Sequence, residues 1–526
     1  MKMVKSLLLG TAAGMLAVAG AQAADMPVKA KAVEYVKVCS LYGAGFYYIP
    51  GTDTCLKIGG YVRVQTEMKA GASGQVFGTG GVLQSAKFNN EDTNDINYTV
   101  RAVATFDART QTEYGTLRSY IRAGWNQSTP AVSGAGTTPC NVAAAGNCLA
   151  YWDRAFIQFA GFTVGRAQSF FDMYTFGGAY TYLNTRTSGD TGAAGEDLWA
   201  YTVQFGNGVS YTLSLEDPAA HNKYGTCDGS SACWAINGVQ TSNSGYTIQG
   251  AANNGFRVPD VVTNLRIDQA WGYLGVSTAI HDVSGGYYTT PGQVGNGHPS
   301  TTYGWAYSFS GSFNLQGGDN FGFNFVWTKG APGYAFNSGA WQIYNSSQSV
   351  GVAWVQDAIF DSGRVDGQQL QLTQAWSINA GYQHIWGPAG TFGGKWRTTL
   401  YGGYVAVTYN DAAKNIINSH LPGAAGTSPC GVPVAGAVWP PLNIAVGSGN
   451  SCSPDFSFYQ VGTRTQFNPH PLMDIGLDVF YTKLNTAYKG TSLGIYPANG
   501  ARPAVSQIDD QNVLSAIVRW QRNFYP

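Results

Sequence analysis

The chain has 526 residues, of which 11% are charged, where about 25% is usual for a soluble globular protein. Tyr, Phe and Trp make 13%, and Gly occurs 69 times. The 30 basic side chains equal the 30 acidic ones, so no bulk attraction to nucleic acid follows, and a charge-poor, aromatic-rich exterior argues against an ordinary soluble enzyme.

In chain order, Lys2 and Lys5 precede an apolar stretch, Leu7 to Ala19, and the small-residue site Ala21-Gln22-Ala23. That is the layout of a cleaved export signal over residues 1–23. The stretch is shorter than the roughly 20 residues a spanning helix needs. Without Lys2 and Lys5 the balance is 28 against 30, a net of −2. Beyond the signal, polar residues recur too often for any segment to cross a bilayer as a helix.

Eight cysteines fall in sequence-close pairs: Cys39 with Cys55, Cys140 with Cys148, Cys227 with Cys233, and Cys430 with Cys452. In an exported chain four nearest-neighbour disulfides are the first reading. Metal binding is the weaker one, because no pair has C-x2-4-C spacing and no histidines cluster beside them. No metal and no cofactor are expected.

After a mixed-charge segment, Asp25 to Val38, a period of two begins. Leu56, Ile58, Val62 and Val64 share one parity, and Lys57, Arg63, Gln65, Glu67 and Lys69 the other, so a strand would send the two sets to opposite faces. The alternation returns over Ile96–Ala108, then over Leu117–Trp125 after a short connection, Thr110–Tyr114. Further strands are expected near Trp152–Ala160 with Phe162–Arg166, and Leu198–Phe205 with Val209–Glu216. Others fall near Val261–Asp268 with Gly272–His281, Tyr303–Leu315 with Phe321–Thr328, and Ala375–Trp386 with Lys395–Val407. The last are Phe456–Phe467 with Met473–Lys483, then Val513–Phe524.

That is about sixteen strands, an even number as bacterial barrels require. Connections alternate between a few residues and inserts of roughly 15 to 45. A soluble sandwich needs one wetted, charged face, whereas here one parity is Phe-, Tyr- and Trp-rich and the other carries Arg, Asp, Asn, Gln and Thr. The fold class expected is therefore all-β: a transmembrane antiparallel barrel over residues 55–526, with short periplasmic turns, long external loops, lipid outside and a wet lumen. Residues 24–54 read as a periplasmic lead-in holding the Cys39–Cys55 segment.

Two stretches add a resemblance. The run VEYVKVCSLYGAGFYYIPGTDTCLKIGGYVRVQTEM, Val33 to Met68, resembles the amino-terminal signature of the general porins of alphaproteobacteria, and the closing VRWQRNF, Val518 to Phe524, is similar to their last strand. The resemblance implies a sixteen-stranded barrel, usually a homotrimer in the outer membrane, that passes small hydrophilic solutes and ions. It also implies that the third long loop, about residues 166–197, folds into the lumen and narrows it. One departure from the family is that Tyr525-Pro526 follows Phe524.

A pore needs a constriction whose charges decide what passes. The loop would bring Asp172, Asp190, Glu196 and Asp197, and the inward parity of the early strands would bring Arg63, Arg101, Arg118, Arg122 and Arg154. Opposed charges of this kind create a transverse field. The blander reading is that these arginines pair with wall acids such as Asp107 and only hold the barrel's shape. Arg397, Arg464 and Arg519 share the polar parity of later strands. Trp125, Trp271, Trp386, Trp396 and Trp520 fall near strand ends, as an interfacial girdle or a subunit contact would require.

Competing readings are a channel selective for a sugar or an anion, with Tyr61, Tyr120 and Tyr401 on the inward parity, an adhesin that displays loops, and a barrel hydrolase. Gly490-Thr491-Ser492-Leu493-Gly494 matches G-x-S-x-G but lies in a loop, without the strand and helix that a nucleophile elbow needs. The six histidines are scattered, and no enzyme is expected. With Phe524 as the terminal aromatic anchor, deleting Tyr525 and Pro526 should leave the yield of heat-resistant folded protein unchanged on unheated gels; a large loss would refute that role.

Overall fold

The structure, a computed structural model, describes residues 37–68, 96–128, 148–172, 179–182, 189, 195–218, 226–228, 257–287, 297–336, 341–346, 349–361, 369–387, 395–419, 452–494 and 505–524. The expected export signal, Cys140, Cys233, Cys430 and Asp190 lie outside these, and the side chains of Cys148 and Cys227 are not described.

Period-two alternation becomes sixteen long strands. They are β1 (Cys55–Met68), β2 (Ile96–Thr112), β3 (Gly115–Ser128), β4 (Cys148–Phe159), β5 (Phe162–Ala167), β6 (Glu196–Gly206), β7 (Val209–Glu216) and β8 (Asp260–Gln269). The second half is β9 (Gly272–Val283), β10 (Thr302–Asn314), β11 (Asn320–Lys329), β12 (Gln374–Trp386), β13 (Trp396–Thr408), β14 (Phe456–His470), β15 (Met473–Asn485) and β16 (Gln511–Asn523). Each pairs antiparallel with its neighbour in sequence, and β16 returns to β1, with Tyr61 opposite Asn523 and Met68 opposite Ala516. The sheet is thus a closed barrel, to which a two-residue strand, Tyr47–Tyr48, adds on β1.

The alternation sorts by environment as expected. Val62, Val64, Ile121, Leu213, Phe309, Leu400 and Leu477 are exposed on the outside, while Gln65, Thr99, Ser277, Asn379, Arg464 and Asp478 are buried inside. So much exposed apolar surface would be unstable in water and suits hydrocarbon. The five tryptophans named above are all exposed, at or close to strand ends.

At one end the connections are tight. Ala160-Gly161 and Asn207-Gly208 have positive φ at both residues, the twist that favours two-residue hairpins. The connection expected at Thr110–Tyr114 shrinks to Glu113-Tyr114, because β2 and β3 stay paired out to Thr112 and Gly115. The segment framed by Cys39 and Cys55 sits at this end. The disulfide forms as paired in the sequence reading, with Cα atoms 6.0 Å apart, and the Arg109 guanidinium lies over the rings of Phe46 and Tyr42 at 4.9 and 5.6 Å. Cys452 is also disulfide-bonded.

The other end departs from the sequence reading, which left the long inserts unstructured. Trp341–Ser346, Ser349–Trp354, Val505–Ile508 and Ser492–Gly494 form a four-stranded sheet, and Thr226–Asp228, Ala358–Phe360 and Gln371–Leu372 a three-stranded one. A helix, Asp411–Ser419, follows β13. Tyr334, Phe336, Ile359, Ile416 and Ile417 from these inserts share one apolar core with inward residues of β8 to β14 such as Val262, Ala306, Val326 and Val405. The lumen is therefore not wetted all round: on that side, near the long loops, it is packed. Parity alone could not show this, because small apolar residues on an inward face have no partner until the loops arrive.

Gly60 carries the closure. Its φ of +153° is strained for any other residue, and an added Cβ would overlap the Val103 carbonyl oxygen and the Phe524 ring, while the Phe524 N–H donates to its carbonyl at 2.9 Å. Gly60→Ala should cost about 1–3 kcal/mol of backbone strain, seen as less heat-resistant protein on unheated gels; an unchanged yield would show that the seam tolerates a side chain there.

Candidate functional site

On the inward faces of β1 to β4, cross-strand register opposes arginines directly: Arg63 with Arg101, Arg109 with Arg118, and Arg122 with Arg154. Like charges in that position destabilise a sheet, so each pair needs compensation. Asp107 supplies it for the second pair, accepting from Arg109 Nε and Nη2 at 3.0 and 2.8 Å and from Arg118 Nε and Nη2 at 3.0 Å each. The wall-pairing reading thus describes Arg118, which also donates to Gln158 at 2.9 Å.

For the third pair the device is a β-bulge. Arg122 faces Arg154 but Ala123 faces Trp152, so Asp153 is the extra residue. Trp152 and Ala155 are exposed outside while Asp153 and Arg154 both turn inward, re-aimed as bulges do. Asp153 lies 3.3 Å from Arg122 Nε. Strict parity would have put Asp153 in lipid. In the first pair Arg63 Nε donates to Gln521 at 2.7 Å and Arg101 Nε to Asn126 at 3.2 Å.

The segment joining β5 to β6 meets the barrel interior at separate places. Near its start, Glu216 accepts from the Ser169 hydroxyl at 2.6 Å and the Phe170 N–H at 3.0 Å, and Asn264 donates to the Phe170 carbonyl at 2.7 Å. Residues 179–182 lie against strands on the far side. Asp478 of β15 accepts from the Thr181 hydroxyl and the Tyr182 N–H, both at 2.6 Å, and from Tyr401 Oη at 2.7 Å. Arg464 donates to the Ala179 carbonyl at 2.7 Å and Arg519 to the Tyr182 carbonyl at 3.0 Å, with the Tyr182 ring 5.1 and 3.9 Å from the two guanidiniums. Gly381 and Gly476 leave the space that the Tyr180 and Tyr182 side chains fill. Gly195, at the segment's end, packs against Arg154.

The four acids assigned to this segment separate. Asp172 and Glu196 are buried, Glu196 on the inward parity of β6. Asp190 lies outside the described residues. Asp197 is a correction: it is on the outward parity, its side chain 66% exposed and 3.3 Å from Arg166, so it cannot face the arginine rows. Tyr61, Tyr120 and Tyr401 form no ladder, since Tyr401 lies beneath residues 179–182, Tyr120 stacks on Phe156 at 5.2 Å and Tyr61 sits among arginines.

Sequence reasoning missed Asp153, Asp478 and a buried cluster in which His281 Nδ1 is 2.7 Å from Asp260 and Tyr334 donates to Asp260 at 2.5 Å. The polar parity of β8, β9 and β15 was the available signal, but nothing in it told a clasp from a lumen side chain. Ser492, expected in a loop, instead opens the short strand Ser492–Gly494 and follows a turn.

A family model described as "Porin subfamily" matches residues 25–517. This chain belongs to the porin subfamily. Porin Omp2b of Brucella suis and porin Omp2b of Brucella abortus are each 32% identical to it over 276 residues, 52% of this chain. The matched stretch spans 64% of each Brucella porin, less than two thirds. Among solved structures, the outer membrane channel DcaP of Acinetobacter baumannii covers 91% of this porin and 99% of its own chain, with a TM-score of 0.52 at 12% identity, a likeness of fold. Family and closed barrel together place this porin in a bacterial outer membrane.

Asp478 is the acceptor on which residues 181 and 182 depend. Asp478→Ala strands three buried donors at about 1–3 kcal/mol each and should raise open-channel current noise while the barrel still folds. A quiet channel would show that this contact does not restrain the segment.

Proposed function

We propose that this porin is a general-diffusion channel, a water-filled path for small hydrophilic solutes and ions, and that it acts without catalysis. The observation that carries the reading is a closed barrel, apolar outside, whose β1–β4 wall holds six inward arginines in three opposed pairs against Asp107 and Asp153. Fold stability does not call for such rows; a field across an aqueous path does. The β5–β6 segment, held to β14, β15 and β16 through Arg464, Asp478 and Arg519, narrows the path beside those rows and brings Asp172 and Glu196 with it. Residues 37–54 of the lead-in stand at the short-turn end, on the periplasmic side. The assembly is a homotrimer in lipid, with the flat apolar exterior shared between hydrocarbon and neighbouring subunits. Among the described residues no aromatic ladder supports a dedicated sugar path.

Purified protein in planar bilayers should give stable conductance steps, closing in threes. Replacing Arg118 and Arg122 with Gln should move the reversal potential in a salt gradient toward cation preference. Arg122 should have the larger effect, because Asp107 clamps Arg118 through two hydrogen bonds. Wild-type reversal potential in both variants would remove the selectivity role from this wall, and absence of conductance would remove the channel itself.

A further inference from the structure

We propose that Tyr61 is the positioning residue of the arginine wall: its ring and hydroxyl hold Arg63 and Arg122 out over the lumen, and so set the channel's balance between anions and cations. The inference rests on the diffusion-channel reading above.

The register places Tyr61 between two charged rows. Gly59, Thr105, Arg122 and Arg154 stand in one row across β1 to β4, and Arg63 and Arg101 stand in another, four residues further along β1. The intervening row runs Asn523, Tyr61, Val103, Gly124 and Tyr151, and in it the Tyr61 ring stands between Arg63 and Arg122. Rows two residues apart are separated by about 7 Å, within reach of a guanidinium from either side. The Arg63 guanidinium lies 4.9 Å from the centre of the Tyr61 ring and that of Arg122 5.8 Å, and Arg122 Nη2 donates to the Tyr61 hydroxyl at 3.3 Å. Tyr61 itself is only 5% exposed. It touches little of the water and much of the charge.

A ring face attracts cations without neutralising them. A carboxylate in the same place would have cancelled the charge, and an aliphatic side chain would have left the guanidiniums unsupported. Each arginine also has an acid within its own row or beside it. Arg122 lies 3.3 Å from Asp153, and from Arg63 the row runs through Gln521 of β16 to Asp474 of β15. With the ring removed, Arg122 settles fully on Asp153 and Arg63 swings along Gln521 toward Asp474. Both movements lower the positive potential in the lumen, so the loss of a neutral residue shifts ion preference toward cations.

The test is the reversal potential of Tyr61→Leu and Tyr61→Phe channels in planar bilayers under a potassium chloride gradient, beside Arg122→Gln. Tyr61→Leu should shift toward cations, in the same direction as Arg122→Gln and by less. Tyr61→Phe keeps the ring face and loses only the hydroxyl acceptor, so its shift should be smaller again. A wild-type reversal potential in Tyr61→Leu while Arg122→Gln shifts would overturn this inference and leave the channel reading standing. No shift in Arg122→Gln would overturn the selectivity reading itself. Should Tyr61→Leu give no folded protein, Tyr61→Phe decides alone, and an unchanged reversal potential there rejects the role. A purely structural tyrosine would alter the yield of heat-resistant protein and leave the reversal potential of the folded channels where it was.

Discussion

Hydrocarbon offers no partner to a peptide N–H or C=O, so a chain that crosses it must satisfy every backbone group within itself. Here β1 to β16 do so by pairing each strand with two neighbours and bringing β16 back to β1. Closure removes the free edges that an open sheet would present. It also makes the seam expensive to alter, which is why Gly60, with Phe524 bonded to its carbonyl, has room for no side chain. Once the ring is closed, each strand has one lipid face and one interior face, and a register slip of one residue would exchange them. The bulge at Asp153 is where that rule is broken to effect: the extra residue gives one strand two consecutive inward charges.

The arginine rows set like charges directly against one another across the sheet. Two guanidiniums about 5 Å apart repel by about 3 kcal/mol at an effective dielectric of 20, and a hydrogen bond to a charged group returns about 1.5–3 kcal/mol. Asp107, with two bonds to each of its arginines, outweighs the repulsion of its pair. Arg63 and Arg101 lean instead on amides and on Tyr61, which support the charge and leave it in place. The wall is thereby stable enough to fold with its guanidiniums still on the inward face.

The long inserts add a second layer of organisation. They pack a hydrophobic core onto the inward faces of β8 to β14 near one end, which leaves the charged β1–β4 wall as the side around which an aqueous path can run. Residues 179–182 complete the arrangement from the sequence between β5 and β6, and Asp478, Arg464 and Arg519 hold them by hydrogen bonds to backbone atoms. Backbone recognition of this kind fixes the path of a segment with little dependence on its side chains.

The period of two is a local property, so composition and alternation were enough to find all sixteen strands, their short turns, the Cys39–Cys55 pair and the outward or inward sense of most residues. The five arginines chosen for the wall do lie on the interior for the same reason. What the sequence could not carry were relations between distant residues. Arg109 had to be set opposite Arg118 for Asp107 to matter, the β4 register had to slip for Asp153 to turn inward, and Asp197 turned outward because β6 begins two residues earlier than expected, at Glu196, and so takes it in. Contacts such as Tyr182 with Arg519, 337 residues apart, exist only because closing the barrel places β15 and β16 across from the β5–β6 segment. Alternation decides which face a side chain takes, and only the closed ring decides what stands opposite it.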